Sequence, residues 1–352
     1  MVKLGTVISQ AKNIRCGEHN YPVLSMTMHD GLIFQDDKFK KVIASANRSE
    51  YKVVYRNQLV VSFPIDEGVL AAQRITDVGI VSPAYTIWDI DQAKILPEFL
   101  EYALRCDRSI NYYKAKLRGS TARRRSLPTP TLLEHTIPLP TIDAQRYILE
   151  IIHKSRNVLE TRKIQLQKLD MLVRARFVEM FGDPIINSKQ LETKALRAVL
   201  ILKAGDFTAA SDISDEQTSS KPYPCYGGNG IRGYVAQYNQ EGEYSIVGRQ
   251  GALSGNVQFA RGKFKNTEHA LLVTPIIEMN NIWLNQLLVN LDLKRYQTGA
   301  AQPGLSVKNL QEIPIIMVPI EKQNRFADFV QAIDKSKLQY HPHTHTCQPN
   351  TS

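Results

Sequence analysis

The chain is expected to be an α+β protein of two similar modules, small β-sheets with helices, separated by long helices that form an antiparallel coiled coil. Three observations predict this: a long internal repeat, strand-like runs in both copies, and an uninterrupted helical stretch between them. The first copy reads Gly119-Ser120-Thr121 … Leu127 … Ile137-Pro138-Leu139-Pro140-Thr141-Ile142-Asp143-Ala144-Gln145. The second reads Gly299-Ala300-Ala301 … Leu305 … Ile313-Pro314-Ile315 … Pro319-Ile320-Glu321-Lys322-Gln323. Each copy enters a helix, with Ile148, Ile151 and Ile152 matched by Phe326, Phe329 and Val330. The two glutamines are 178 residues apart, far beyond the roughly 20–50-residue period of a solenoid. The repeat is therefore a duplicated module.

In the first module, Tyr51-Lys52-Val53-Val54-Tyr55, Leu59-Val60-Val61-Ser62-Phe63 and Gly79-Ile80-Val81 are β-branched and aromatic runs bounded by Asn57, Pro64, Gly68 and Pro83, which predicts strands. Pro97 opens a predicted helix over 98–113, since proline suits a first helical turn. The second module repeats the plan, with strands at 244–247 and 271–273 and a helix over 281–293. Between the modules, 143–181 contains neither proline nor glycine. A 4-3-4-3 ladder passes there through Ile148, Ile152, Ser155, Leu159, Arg162, Leu166, Leu169, Val173, Arg176 and Met180. The apolar rungs predict a coiled-coil seam, and Gly182-Asp183-Pro184 ends it.

The expected partner of that helix is a shorter one over 321–339, antiparallel within the same chain. Its length is expected to leave 166–180 of the central helix uncovered and free for self-association. The predicted division is 1–142, first module; 143–181, central helix; 182–320, second module; 321–339, second helix; and 340–352, a disordered tail. The tail's His341-Pro342-His343-Thr344-His345-Thr346-Cys347 lies on no helix face and includes a proline, so no metal is expected there.

A hydrophobic content of 43% with 22% charged residues is that of an ordinary globular protein, and the net charge of +10 favours a polyanionic partner. The four cysteines are widely spaced, as reduced thiols of a cytoplasmic protein would be. No apolar run approaches the roughly 20 residues of a membrane span, and no membrane association is expected.

Several chemical motifs fail on context. Gly228-Asn229-Gly230-Ile231-Arg232-Gly233 fits the dinucleotide-binding pattern, but no helical punctuation follows it, so it reads as a glycine-rich β-turn. Ser82-Pro83-Ala84-Tyr85 lacks the second proline of the amino-methyltransferase motif. Asp183 with Glu192-Thr193-Lys194 only echoes a nuclease, and Asp183 sits where helix-ending turns favour aspartate. No active site, metal or cofactor is expected in the chain.

The polar tips are more informative. Lys114, Lys116, Arg118, Arg123, Arg124 and Arg125 crowd around Gly119-Ser120-Thr121. Guanidinium forks and the Ser120 and Thr121 hydroxyls suit phosphate or guanine contacts. The matching tip of the second module is Gln297-Thr298-Gly299-Ala300-Ala301-Gln302, which keeps the glycine without the arginines. A further loop carries Arg249, Gln250, Ser254 and Asn256 among glycines. Arginine bidentate to guanine, and glutamine or asparagine bidentate to adenine, are favoured base contacts. Two like frames with different polar tips suit a reader of two different sequences.

Taken together in order, these marks resemble the DNA-specificity subunit of type I restriction–modification enzymes over nearly the whole chain. They are the Tyr51–Val54 run, Gly79-Ile80-Val81-Ser82-Pro83-Ala84-Tyr85, and the segment from Arg118. The second module adds Tyr226-Gly227-Gly228-Asn229-Gly230-Ile231-Arg232-Gly233-Tyr234, Gly248-Arg249-Gln250-Gly251-Ala252, the paired Ile-Pro … Gln entries and Met180-Phe181-Gly182-Asp183-Pro184. The resemblance implies two target-recognition domains, each reading one half of a split site in double-stranded DNA. Tyr226, Asn229 and Arg232 join the candidate DNA contacts on this ground. It implies a non-catalytic chain whose helices, through Ile148, Ile152, Leu159, Leu166, Leu169 and Val173, dock two modification subunits. Those subunits would hold S-adenosylmethionine, and restriction subunits would use ATP. A single-chain methyltransferase or nuclease and a helical protein-binding scaffold are the competing classes.

Overall fold

A computed structural model describes residues 1–38, 48–117, 127–251, 253–299 and 304–338. The chain divides into two compact units, Met1–Leu159 and Glu160–Ser352.

The first unit contains β1 (Val2–Lys3), β2 (Ile8–Gln10), β3 (Leu24–Thr27), β4 (Gly31–Phe34), α1 (Gln35–Lys38), β5 (Lys52–Tyr55), β6 (Leu59–Val61), β7 (Leu70–Ala72), β8 (Val78–Val81) and β9 (Thr86–Ile90). These are followed by α2 (Pro97–Arg105), α3 (Asp107–Lys116), α4 (Thr129–Glu134), β10 (Thr136–Ile137) and the start of α5 (Ile142–Phe181). Its largest sheet has the order β2-β9-β6-β7 and is antiparallel throughout. Because side chains alternate across a strand, β6 serves two cores. Leu59 and Val61 face one with Trp88, Phe99, Leu100 and Tyr113, and Val60 faces another with Leu24, Val54, Val81 and Ile87. That is why these runs are apolar without alternation.

The helix expected over 98–113 is two helices. Cys106 between them is extended, at φ −72° and ψ 158°. The Ser109 hydroxyl donates to the Ala103 carbonyl (2.6 Å) and lies 2.8 Å from His135 Nε2. His135 stacks on Tyr112 with centroids 4.4 Å apart. The break turns this polar pair inward, where Ser109 and His135 are both buried. Burial also holds the His135 imidazole below its usual pKa.

The second unit contains the end of α5, then β11 (Thr193–Ala195), α6 (Leu196–Val199), β12 (Leu200–Ala204), β13 (Tyr223–Gly227), β14 (Gly230–Val235), β15 (Gln240–Gly248), β16 (Val257–Asn266) and β17 (Ala270–Pro275). It closes with α7 (Asn281–Asn290), α8 (Val307–Leu310), β18 (Pro314–Ile316) and α9 (Ile320–Leu338). Six strands form one sheet in the order β12-β17-β15-β16-β13-β14, with β13 and β16 parallel. The segment after Gly228-Asn229 is strand β14, so this glycine cluster is a β-turn.

α5 is one continuous helix, and Gly182, at φ +79°, follows its last turn. Within the second unit it meets α9 antiparallel. Phe326 lies against Phe177 and Phe181 (centroids 5.5 and 5.6 Å), while Lys337 Nζ reaches Asp170 at 2.7 Å. Phe181 also packs edge-on to Trp283 at 6.1 Å. The antiparallel pairing expected from sequence is present, but its placement corrects the expected gap. Val173 and Phe177 are buried in the core that α9 shares, so the seam face of 166–180 is covered rather than bare. Leu166 and Leu169 are half-buried, whereas 153–164 is exposed throughout, with Leu159 at 68%. Ile148 and Ile152 are half-buried, Ile148 against the first unit's core.

The repeated glutamine has the same role in each unit. Gln145 Oε1 accepts the Leu96 N–H (2.8 Å), and its Nε2 donates to the Lys94 and Pro140 carbonyls (both 2.9 Å). Gln323 Oε1 accepts the Asn280 N–H (2.9 Å), and its Nε2 donates to the Val318 carbonyl (2.7 Å). Both side chains are buried, so their removal strands backbone groups in an apolar setting. Gln145→Ala and Gln323→Ala are each expected to cost about 1–3 kcal/mol, read as a lowered urea midpoint. An unchanged midpoint for both would contradict the latch.

The His135 shift carries a pH dependence. An unfolded-state histidine takes up a proton near 6.5, while the buried one resists it. Stability is therefore full above about pH 6.5 and falls as pH drops below it toward the depressed folded value. The urea midpoint of wild type is expected to fall between pH 7.5 and 5.5 by more than that of His135→Gln. Equal falls would remove this role.

Candidate nucleic-acid interface

In the second unit, loops distant in sequence converge on one rim. The 248–256 loop is closed by Gly248 N–H to Asn256 O and Gly255 N–H to Gly248 O, both 2.8 Å. Arg249 N–H donates to His269 O (2.9 Å), and Leu305 N–H donates to Arg249 O (2.8 Å). Thr298 and Gly304 exchange two bonds of 2.9 Å. A Cβ on Gly248 would stand 2.1 Å from Gly228 O. Only glycine permits that approach, which brings the β13–β14 turn against the 248–256 loop.

These bonds assemble most of the second module's predicted contacts. Asn256 Nδ2 donates to Asn229 Oδ1 (3.2 Å), and Gln297 Nε2 donates to Ser254 O (2.5 Å). His269 Nδ1 lies 2.7 Å from Gln250 Oε1 and orients that amide. Asn229, Gln250 and Thr298 are exposed, while Arg249, Asn256 and Gln297 are half-buried. Arg232 is exposed on β14, with its aliphatic stem across Gly227.

Two predicted contacts lie inside instead. Tyr226 is 9% exposed and packs edge-on to Phe264, with centroids 5.4 Å apart. Its carbonyl accepts the Thr267 hydroxyl (2.9 Å), so it supports the rim from below. Ser254 is fully buried, with its hydroxyl unpartnered and its carbonyl taken by Gln297. The glycines around both residues allow close backbone packing. Gln302 lies outside the described residues.

The rim also holds residues the motifs did not reveal. His269 and Glu268 come from the short β16–β17 connection, and His269 Nε2 lies 3.1 Å from Glu268 Oε1. Lys294 and Arg295 are exposed beside Gly255, whose Cβ would stand 2.7 Å from Lys294 N. The repeat carried a signal for Lys294, which precedes Gly299 by the same interval as Lys114 precedes Gly119. Phe207 and Asp206 follow β12, where Asn239 and Lys265 hold the Asp206 carboxyl below its usual range.

In the first unit, Lys114 and Lys116 are exposed on the last turn of α3. Arg118, Ser120, Thr121, Arg123, Arg124 and Arg125 lie outside the described residues. Leu117 and Leu127, at the two ends of that segment, pack against the core. Ser82-Pro83-Ala84-Tyr85 is a turn closed by Tyr85 N–H to Ser82 O (3.1 Å), and Lys52 Nζ donates to Tyr85 O (2.7 Å). Asp183 accepts the Ile185 N–H (2.8 Å), a turn-forming role. Among the described residues, no group of His, Cys, Asp and Glu is arranged to hold a metal. The rim offers guanidinium, amide and imidazole groups on a fixed backbone, which suits hydrogen bonding to base edges and phosphates.

The fold is that of an α+β protein with a long helix, α5, between two sheet-rich regions. Residues 190–343 match the family model of the type I restriction modification DNA specificity domain. These residues resemble that domain, and the chain resembles type I restriction–modification specificity subunits. It is 37% identical over 166 residues to the specificity subunit of the type I restriction enzyme EcoprrI of Escherichia coli, covering 46% of this chain and 41% of that protein. A putative type I specificity subunit of Haemophilus influenzae, S.HindORF215P, is 27% identical over 156 residues, covering 44% and 40%. These matches span less than half the length of either relative. Among solved structures, the S subunit of a type I system from M. genitalium aligns with a TM-score of 0.54 at 15% identity, covering 96% of this chain and 90% of that one. A chain from a type I R-M system studied for complex assembly and conformational transition aligns at 0.57 and 17%, with the same coverage. Both establish likeness of fold.

Proposed function

We propose that the chain is the DNA-reading specificity subunit of a type I restriction–modification complex, working on DNA in the cytoplasm. Each module reads one half of a split site in double-stranded DNA. The long helices dock two modification subunits, which bind S-adenosylmethionine and methylate the target base, and restriction subunits join the full complex with ATP. The chain itself is non-catalytic and supplies recognition and geometry.

The observation that carries this reading is the rim of the second unit. There Arg249, Gln250, Asn229, Asn256 and Gln297 are joined by hydrogen bonds on loops from separate parts of the sequence. Arg249 is suited to guanine, and Gln250, braced by His269, to adenine. The net charge of +10 favours the phosphate backbone. No helix among the described residues is long and apolar enough to cross a membrane.

The test is duplex affinity of the chain with its modification subunits, measured across salt concentrations. Affinity is expected to fall steeply from 50 to 200 mM salt, as release of condensed counterions requires. Arg249→Ala is expected to relax discrimination at one base pair by about 1–3 kcal/mol. A salt-independent affinity, or an Arg249→Ala variant with unchanged base preference, would contradict the reading.

A further inference from the structure

Phe207 is 78% exposed, more than any other large apolar side chain among the described residues. A single exposed aromatic is unremarkable in itself. What distinguishes Phe207 is the rigidity of its mounting and the company it keeps.

The backbone on both sides is tied down. Gly205 N–H donates to Thr267 O (3.2 Å) and Asp206 N–H to Asn266 O (3.1 Å), while Asp206 O accepts the Glu268 N–H (3.2 Å). The Asp206 carboxylate receives Asn239 Nδ2 at 2.8 Å and Lys265 Nζ at 3.2 Å. On the other side, Thr208 N–H donates to Glu268 Oε2 at 3.2 Å. The loop presents the ring outward on a fixed frame, so its apolar area is not left exposed by slack in the chain.

That frame is continuous with the rim. Glu268, which holds Thr208, meets His269 at 3.1 Å, and His269 meets Gln250 at 2.7 Å. Phe207 also forms one wall of an open cavity of about 280 Å³, lined by Asp212, Lys221, Val235, Gln237 and Lys265. The cavity joins an aromatic face, two ammonium groups, and carboxylate and amide hydrogen-bonding groups. This is the chemistry of a nucleobase with its phosphate: stacking for the ring, amide and carboxylate groups for the edge, lysines for the backbone.

We propose that Phe207 is a stacking platform for one nucleobase that leaves the duplex stack when DNA lies on the rim, with the adjoining cavity receiving its edge. The inference rests on the DNA-reading function proposed above and names a site within it. Stacking is tolerant of base identity, so Phe207 contributes affinity and DNA deformation, while the polar rim contributes base preference.

The experiment uses the full chain with its modification subunits and duplexes recovered from a random pool, each carrying 2-aminopurine at one position in turn. With wild type, fluorescence is expected to rise at one position flanking the bases read by the second module. Phe207→Ala is expected to abolish that rise and weaken binding roughly tenfold or more. Phe207→Trp is expected to retain binding, and Phe207→Leu to behave like alanine. The ring is exposed, so every variant should keep the wild-type melting temperature. Wild-type binding without a rise at any position, or Phe207→Ala binding as tightly as wild type, overturns the proposal. Leucine equal to phenylalanine overturns stacking in favour of simple apolar contact. Failure of wild type to retain any duplex sinks the DNA reading itself, and this inference with it.

Discussion

A buried glutamine at each helix entry is the constraint on which the architecture depends. Gln145 and Gln323 use both ends of the amide to join the start of a long helix to the start of a shorter one, α2 or α7. A hydrophobic contact there would tolerate rotation of the helix. An amide that accepts from one backbone and donates to another does not, because each lost bond leaves a polar group buried without a partner. The direction in which each helix leaves its own module is thereby fixed. The remaining contacts, such as Phe177 and Phe181 around Phe326 and Trp283, consolidate that direction in the second unit.

The rim separates a hydrogen-bonded backbone from the side chains it presents. Its backbone is knotted by paired N–H and C=O groups between 248–256, 267–269 and 297–304, and by the close approach of Gly248 to Gly228. Side chains such as Asn229, Gln250 and Thr298 project from that knot without carrying the fold. A change of tip residue can then alter what is read at little cost in stability. The two repeats differ in sequence at the matching position: one carries Arg123, Arg124 and Arg125, the other Gln297 and Thr298.

Much of this was legible in the sequence where a local signal coincided with the structure. The central helix was readable to within one residue at its start because nothing between Asp143 and Phe181 opposes a helix, and Gly182 ends it. The break at Cys106 was not, since no proline or glycine marks it and the contact of Ser109 with His135 beside it is distant in sequence. β15 and β16 extend well beyond their apolar runs because hairpin pairing carries polar residues such as Glu241 and Lys263 along with it. The register of α9 against α5 was misplaced because sequence gives a helix's length but not the end at which it docks. Pro319-Ile320 begins α9, and Phe326 lies against Phe181, so its short span covers the last turns of α5. At the rim, Arg249, Gln250 and Asn256, singled out by residue type, come together through loop hydrogen bonds. Tyr226, included on the resemblance, and Ser254, included for its place in a glycine-rich loop, are both buried, since glycine-rich segments allow close packing as well as exposure. His269 and Phe207 gave no local signal, since their importance comes from loops meeting in space.

The central claim is that one chain reads two separate stretches of DNA with two copies of one module. Selection of bound duplexes from a random pool by the complex with its modification subunits tests it most directly. The account predicts two short fixed motifs at constant separation. It further predicts that substitutions on the rim of the second unit blur one motif and leave the other intact. A single continuous motif, or rim substitutions that blur both motifs equally, would contradict it.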